Sequence, residues 1–420
     1  MDRQDVSRVQ IIRGNALALP LADDTVDLVV TSPPYFGLRS YQDGGEHYSG
    51  QIGDEPTPAE FVDALIAATA EMVRVVKPSG SIWVNLGDKY AGGGGTWAKA
   101  EGGDLYARPG QVGTGGKSWG HRPKTLIGIP WRYAIRCIDD LGLILRAEVI
   151  WSKPNGLPES VTDRVRRSHE DWFHFTLSPR YYSAVDEIRE AHLAPNRSGT
   201  NPKHESAPFA VGIPAHTSLS TTQPNPLGKL PGSVWTIPTE PLHVPDHLGI
   251  DHFAAFPTEW PRRIIQGWSP RGICVECGEG RRPVMDVDRS LVDVSRTARV
   301  MDGYAVGTGR TNHGTGGSTL ANEADKVRRT ITGEACACPE PTAPTRPGTV
   351  LDPFGGTGTT ALVAHALGRH GISVDMSADY CRLAGWRTTD PKQLAKAARR
   401  EYVAPREQAE GQLDLLEGIA

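Results

Sequence analysis

This 420-residue chain contains no apolar run near the roughly 18 residues that span a bilayer, and its opening, Met1-Asp2-Arg3-Gln4-Asp5, lacks a secretory leader pattern. Both absences lead to the expectation of a cytoplasmic protein with no membrane partner. Cysteine is scarce at six residues, four of them in two tight pairs, which speaks against a disulfide framework and for metal ligation. No internal repeat is present, which excludes solenoids and propellers. The glycine-rich turn near the end of the chain also lacks Gly-x-Gly-x-x-Gly, the fingerprint of a dinucleotide-binding oxidoreductase.

The formal net charge is −4, from 45 Lys and Arg against 49 Asp and Glu. That balance does not suit a protein that coats nucleic acid indiscriminately. The distribution is uneven, however: between residues 108 and 203, fifteen basic residues stand against ten acidic ones. A local basic face is enough to meet phosphates, although an ordinary solvated surface accounts for the charge equally well. The length suits one large α/β domain with insertions, or two domains.

Residues 9–13 alternate in polarity, and 26–30 form a near-continuous apolar run of the kind found in buried parallel strands. The second strand delivers Thr31-Ser32-Pro33-Pro34-Tyr35 at its carboxyl end, where open α/β sheets bind ligands. A helix is predicted over 61–76, stopped by Lys77-Pro78-Ser79-Gly80, and a strand over 81–85. The Gly-rich stretch 91–124, with Trp97, Tyr106 and Trp119 among Lys and Arg, reads as a mobile loop. Further on, helices are predicted over 130–141 and 260–268, and strands over 143–151, 171–177 and 181–185.

Near the other end, 349–352 reads as a strand and 359–367 as a helix, joined by the glycine-rich Asp352-Pro353-Phe354-Gly355-Gly356-Thr357-Gly358-Thr359-Thr360. The next strand, 370–374, carries Asp375 at its tip. Such a unit is half of a nucleotide-binding sheet: glycines let the backbone approach the ligand, and the acid takes ribose hydroxyls. Gly356 and Asp375 lie 19 residues apart, against about 20 in that arrangement.

Together these two loops resemble the catalytic and cofactor loops of the DNA amino-methyltransferases, in the permuted order of that family's β class. Residues 77–87, Ile150 to Asn155, Asp163-Arg164, His169-Glu170 and 252–257 are similar to further family segments. The resemblance implies a circularly permuted class I SAM-methyltransferase fold, a Rossmann-like mixed sheet with target-recognition and Cys-rich insertions. It implies methyl transfer from S-adenosylmethionine (SAM) to the exocyclic nitrogen of a base flipped out of duplex DNA. The implied units are 1–190 (first half of the sheet, with the 91–124 loop), 191–251 (target recognition, including Arg197, Lys203 and Lys229) and 252–270 (a cofactor-side helix). They continue with 271–339 (a Cys-bounded insertion), 349–390 (the SAM-binding βαβ unit) and 391–420 (a charged, partly helical, mobile tail).

An exocyclic amine is a poor nucleophile because its lone pair is delocalised, so a site that methylates it must accept its hydrogens and align its attack. Ser32 Oγ and the Pro33 carbonyl are the two acceptors, Pro33-Pro34 stiffens the turn, and Tyr35 offers a face for the flipped base. Asp352, Phe354, Gly356, Gly358, Thr359 and Asp375 are the implied SAM contacts, with Phe256 and Pro257 at its methionine end. Asn15 stands where many relatives have Asp near the adenine. Cys137 and Cys381 look buried or helical, so no thiolate serves chemistry at a ring carbon.

In this family Ser-Pro-Pro-Tyr goes mostly with cytosine N4, which is the favoured target, with adenine N6 the alternative. A non-catalytic regulator that binds SAM or DNA is the rival from another class. A cognate restriction nuclease is an implied partner. Cys274-Val275-Glu276-Cys277 resembles a zinc-ribbon knuckle, and Cys336-Ala337-Cys338 would close a four-thiolate structural zinc site, with 58 residues between the pairs. Gln412-Leu413-Asp414-Leu415-Leu416 is similar to peptides that bind bacterial sliding clamps, although a frayed tail is the preferred reading.

Overall fold

Every residue of β2 (Val26–Thr31) is buried, and its side chains divide between two apolar layers. Val29 belongs to one layer, Leu28 and Val30 to the other. A strand covered on both faces needs a continuous apolar run rather than alternation, which is what these residues supply. The computed structural model describes residues 9–37, 42–43, 46–47, 50–92, 119–156, 158–159, 161–191, 227–250, 256–288, 328–339 and 342–402.

The chain runs through β1 (Val9–Arg13), β2, a small hairpin of β3 (Gln42–Asp43) and β4 (Glu46–His47), then α1 (Pro58–Val75) and β5 (Val76–Leu86). Next come α2 (Ile129–Asp139), β6 (Ile144–Ser152), β7 (His169–Thr176), β8 (Val234–Thr236) and α3 (Glu259–Trp268). The insertion holds β9 (Ile273–Cys274), β10 (Arg282–Asp288), β11 (Arg328–Ala335) and β12 (Thr345–Arg346). The last unit is β13 (Thr349–Asp352), α4 (Thr359–Ala366), β14 (His370–Asp375), α5 (Ala378–Thr389) and α6 (Pro391–Ala397).

Eight strands form one sheet in the order β1-β14-β13-β2-β5-β7-β6-β8. All neighbours are parallel except those of β7, which is antiparallel to β5 and β6. The two ends of the chain thus interleave, since β13 lies between β14 and β2, with Val350 opposite Leu28. One face is covered by α1 and α2 through Phe61, Leu65, Met72 and Tyr133. The other carries α3 and α4 over a core that includes Trp83, Trp151, Trp172, Trp235, Trp260 and Trp268. Helix α1 starts cleanly because Thr57 and Glu60 cap each other's backbone amides and Pro58 opens the first turn.

Three elements differ from expectation. Residues 181–185 are not a strand: Tyr182 N–H donates to the Ser79 carbonyl in β5 and Ala184 N–H to the Gly267 carbonyl in α3, so the two amides bond to different elements and no ladder forms, and Val185–Ile188 is a short 3-10 turn. Strand β5 begins at Val76, directly after α1, because a register shift opposite Val26 and Leu28 absorbs Pro78. Strand β8, in a stretch with little periodicity, pairs with β6 and buries Trp235. At the start of the 391–420 tail, α6 packs inward, with Ala397 buried and its carbonyl accepting from Arg262.

The bulk of the 91–124 loop and of the 191–251 region, residues 252–255 and the Gln412–Leu416 peptide lie outside the described residues. Among those described, no helix is long and apolar enough to cross a membrane.

Candidate active site

Because β2, β13, β14 and β5 are parallel, their carboxyl ends meet at one edge of the sheet, and both loops singled out in the sequence leave from it. Ser32 follows the last residue of β2. Its hydroxyl donates to Asn85 Oδ1 at 3.2 Å, and Asn85 is buried near the end of β5. The Tyr35 hydroxyl lies 2.7 Å from the same Asn85 oxygen and 2.7 Å from Glu170 Oε2. Asn85 Nδ2 donates in turn to the Asp171 carbonyl at 3.2 Å. The Tyr35 ring rests against the backbone of Gly87, where a Cβ would lie 2.6 Å from Cε2, so only glycine admits this approach.

On the cofactor side, Asp352 ends β13 and is buried. Its carboxylate accepts from Thr31 Oγ1 at 2.6 Å, Thr360 Oγ1 at 2.9 Å and the Phe354 amide at 3.2 Å. Burial outweighs these bonds and raises its pKa to about 6. Asp375 ends β14 and accepts from the Gly356 amide at 2.8 Å and the Ser377 amide at 2.9 Å. Gly358 has φ of 72°, and a Cβ there would meet Ala384 at 2.8 Å, so the turn into α4 requires glycine. Arg387, buried in α5, braces the turn from beneath through Thr357 Oγ1 and Thr359 Oγ1, both at 2.7 Å.

One cleft joins the two loops. Ser32 and Pro34 line it from the loop after β2, Phe354 and Gly356 from the turn after β13, Asp375 from the tip of β14, and Gly14 and Asn15 from the turn after β1. Asp352, Gly358 and Thr359 stand behind these residues rather than lining the cleft, and Phe256 packs edge-on against Trp172 at 5.9 Å. Gln51, Ile52, Met376 and Tyr380 also line it. Nothing in the sequence marks these four: Gln51, Ile52 and Met376 sit in loops with no periodic or compositional signal, and Tyr380 stands in the first turn of α5. Asn85 and Glu170 fall within the segments similar to the family, with no role legible from the sequence.

The donor set fits SAM. A strand-tip carboxylate (Asp375) suits ribose hydroxyls, apolar Phe354, Ile52 and Met376 suit an adenine ring, and Asn15 adds a hydrogen-bonding edge.

Residues 26–275 and 342–385 match the model of the N6/N4 DNA methylase family. The chain belongs to that family. It is a SAM-dependent DNA amino-methyltransferase, and the interleaved sheet is the permuted class I methyltransferase fold. The type II methyltransferase M.SmaI of Serratia marcescens is 33% identical over 283 residues, covering 65% of this chain and 81% of that protein. M.XycI of Xanthomonas campestris pv. cyanopsidis is 42% identical over 183 residues, 43% of this chain and 58% of M.XycI. Among solved structures, the cytosine-N4-specific PvuII DNA methyltransferase aligns with a TM-score of 0.49 at 16% identity, covering 93% of this chain and 91% of that one.

Away from the catalytic edge, the sulfurs of Cys274, Cys277, Cys336 and Cys338 lie within 4.8 Å of one another. β9 carries Cys274 and pairs with β12, three residues before β13 begins, so the cluster sits at the opposite, amino end of that strand. The backbone amides of Cys277 and then Glu276 point at the Cys274 sulfur and draw its pKa down to about 6. Cys137 is buried in α2, as expected of a thiol without a chemical role.

Proposed function

We propose that this chain methylates the exocyclic N4 of cytosine in a specific duplex sequence, after flipping the base into the cleft between the two loops. The observation that carries the reading is that Ser32 and Pro34 share one cleft with Phe354, Gly356 and Asp375. The choice of cytosine over adenine rests on the resemblance of Ser32-Pro33-Pro34-Tyr35 to the cytosine-type loop.

Asn15, Phe354, Gly356 and Asp375 would hold SAM, which supplies an electrophilic methyl group when bound. Ser32 Oγ and the Pro33 carbonyl accept the two amine hydrogens and so fix the nitrogen in line for attack. Gly87 lets the Tyr35 ring approach the backbone after β5 closely, and the ring is the surface on which the flipped base stacks in this reading. No carboxylate stands in hydrogen-bond contact with Ser32 among the described residues, so the amine proton leaves to water after transfer.

The test is methyl transfer to unmethylated duplex DNA followed by digestion and mass spectrometry of the nucleosides. N4-methylcytosine is expected. N6-methyladenine would keep the mechanism and reverse the base, and SAM binding without any methylated nucleoside would favour the regulator. The 191–251 region reads the sequence in this proposal, and a nuclease of the same specificity is the natural partner. DNA treated with this chain is then refractory to that nuclease.

The four cysteines hold one structural zinc ion, without an open position for catalysis. Four sulfurs within 4.8 Å support a tetrahedral thiolate site, in which each Zn–S bond is about 2.3 Å. Elemental analysis of the purified chain should find one zinc per molecule, absent from a Cys274→Ser, Cys336→Ser variant that still binds SAM. A metal-free native chain rejects the assignment.

A further inference from the structure

Glu170 and Lys153 have no part in the steps above, yet they end a run of polar contacts that starts at the reacting loop. Tyr35 reaches two acceptors, Asn85 Oδ1 and Glu170 Oε2, at the same 2.7 Å, while Ser32 also donates to Asn85 Oδ1 at 3.2 Å. The bond from Asn85 Nδ2 to the Asp171 carbonyl turns Oδ1 toward both hydroxyls. Lys153 Nζ binds the other Glu170 oxygen and lies 4.1 Å from the centre of the Trp151 ring. Register accounts for this placement: β6 and β7 set Trp151 opposite Glu170, and β5 and β7 set Asn85 opposite Trp172.

A phenol carries one hydrogen, so Tyr35 cannot fully serve two acceptors. A carboxylate paired with an ammonium attracts that hydrogen more strongly than a neutral amide oxygen does. We propose that Glu170, held by Lys153, is a positioning residue that sets the direction of the Ser32 hydroxyl. It draws the Tyr35 hydrogen to itself, which leaves Asn85 Oδ1 to receive the Ser32 hydrogen. Ser32 Oγ then presents only lone pairs to the target amine. Without Glu170, the Tyr35 hydrogen turns wholly to Asn85 Oδ1, where its contact is the shorter of the two. The longer Ser32 bond to the shared oxygen weakens, and the Ser32 hydrogen is freer to turn against the amine N–H that Ser32 must accept. The inference rests on the methyltransferase reading of this site, and extends it to two residues outside the Ser-Pro-Pro-Tyr loop.

The test is a mutant cycle. Labelled methyl transfer from saturating SAM to unmethylated genomic DNA is measured for the wild type, Glu170→Ala, Tyr35→Phe and the double variant, with SAM affinity determined by calorimetry. Glu170→Ala should lower kcat about tenfold or more with SAM affinity unchanged. Adding Tyr35→Phe deletes the competing hydrogen and should restore kcat to within about twofold of Tyr35→Phe alone, a strongly non-additive pair. A merely structural Glu170 predicts losses that multiply. That outcome, or wild-type kcat in Glu170→Ala, overturns the proposal. Should Glu170→Ala lose SAM binding through misfolding, the isosteric Glu170→Gln takes its place in the same cycle. Its smaller loss should again be relieved by Tyr35→Phe, and a loss that Tyr35→Phe does not relieve overturns the proposal. Full activity in Ser32→Ala would instead remove the underlying site reading, which the cycle leaves distinguishable.

Discussion

Thr31 and Asp352, 321 positions apart in the chain, share a 2.6 Å hydrogen bond in the middle of the sheet. The bond joins the last residue of the strand that presents Ser32 to the last residue of the strand that opens the cofactor turn. Thr360 completes the tie, since its hydroxyl contacts both Asp352 Oδ2 and the Val30 carbonyl. The two halves of the site are thereby set against each other by buried polar contacts rather than by chain continuity.

Asp352 makes stability depend on pH. Burial raises its pKa from 3.8 to about 6, so the folded chain holds this proton more tightly than the unfolded one. The resulting contribution is fully present below the unfolded value and is lost as pH rises through the folded one. Asp352→Asn should therefore melt higher than the wild type at pH 7, by a margin on the order of 2 kcal/mol. The margin should shrink steadily between pH 7 and pH 4. Parallel melting curves for the two proteins at every pH would refute this.

In the proposed mechanism Ser32→Ala removes an acceptor for the target amine and leaves Asp375, the proposed ribose acid, untouched. Turnover should fall about a hundredfold. SAM affinity, read by calorimetry, should stay at the wild-type value.

Gly87→Ala places a methyl group against the Tyr35 ring, whose nearest atom would lie 2.6 Å away. The ring must move, and overpacking of this kind costs about 1–3 kcal/mol. Lower kcat with a modest fall in melting temperature is the expected pattern. Unchanged kcat would mean that the Tyr35 position is not critical.

Asp375→Ala deletes the strand-tip carboxylate in the cleft and also releases the Gly356 and Ser377 amides. SAM should bind about tenfold or more weakly, one such charge-assisted contact being worth about 1.5–3 kcal/mol. Equilibrium binding at several SAM concentrations decides this. A wild-type dissociation constant would place the cofactor elsewhere.

Much of this site is legible in the sequence alone. The run at 26–30 and the Asp-Pro-Phe-Gly-Gly-Thr-Gly-Thr-Thr turn carry local rules: an apolar strand buried on both faces, and glycines where φ is positive, as at Gly356 and Gly358. Residues 181–185 have the aromatic and apolar content of a strand, but the Tyr182 and Ala184 amides bond singly to β5 and to α3, which no local pattern reveals. Strand β8 escaped notice because three residues around one buried tryptophan leave no period to detect. Asn85 and Glu170 lay in plain sight but had no legible role, since their meaning depends on what stands across the strand ends.

The sequence by itself determined most of the element types and the two loops in their order, because glycine, proline and apolar spacing act within a few residues. Only the tertiary structure decided that Asp352 braces Thr31 rather than lining the cleft, that Glu170 meets Tyr35, and that four distant sulfurs converge. Those facts depend on strand order and register, which follow from packing two apolar layers against one sheet and are not written in any single segment.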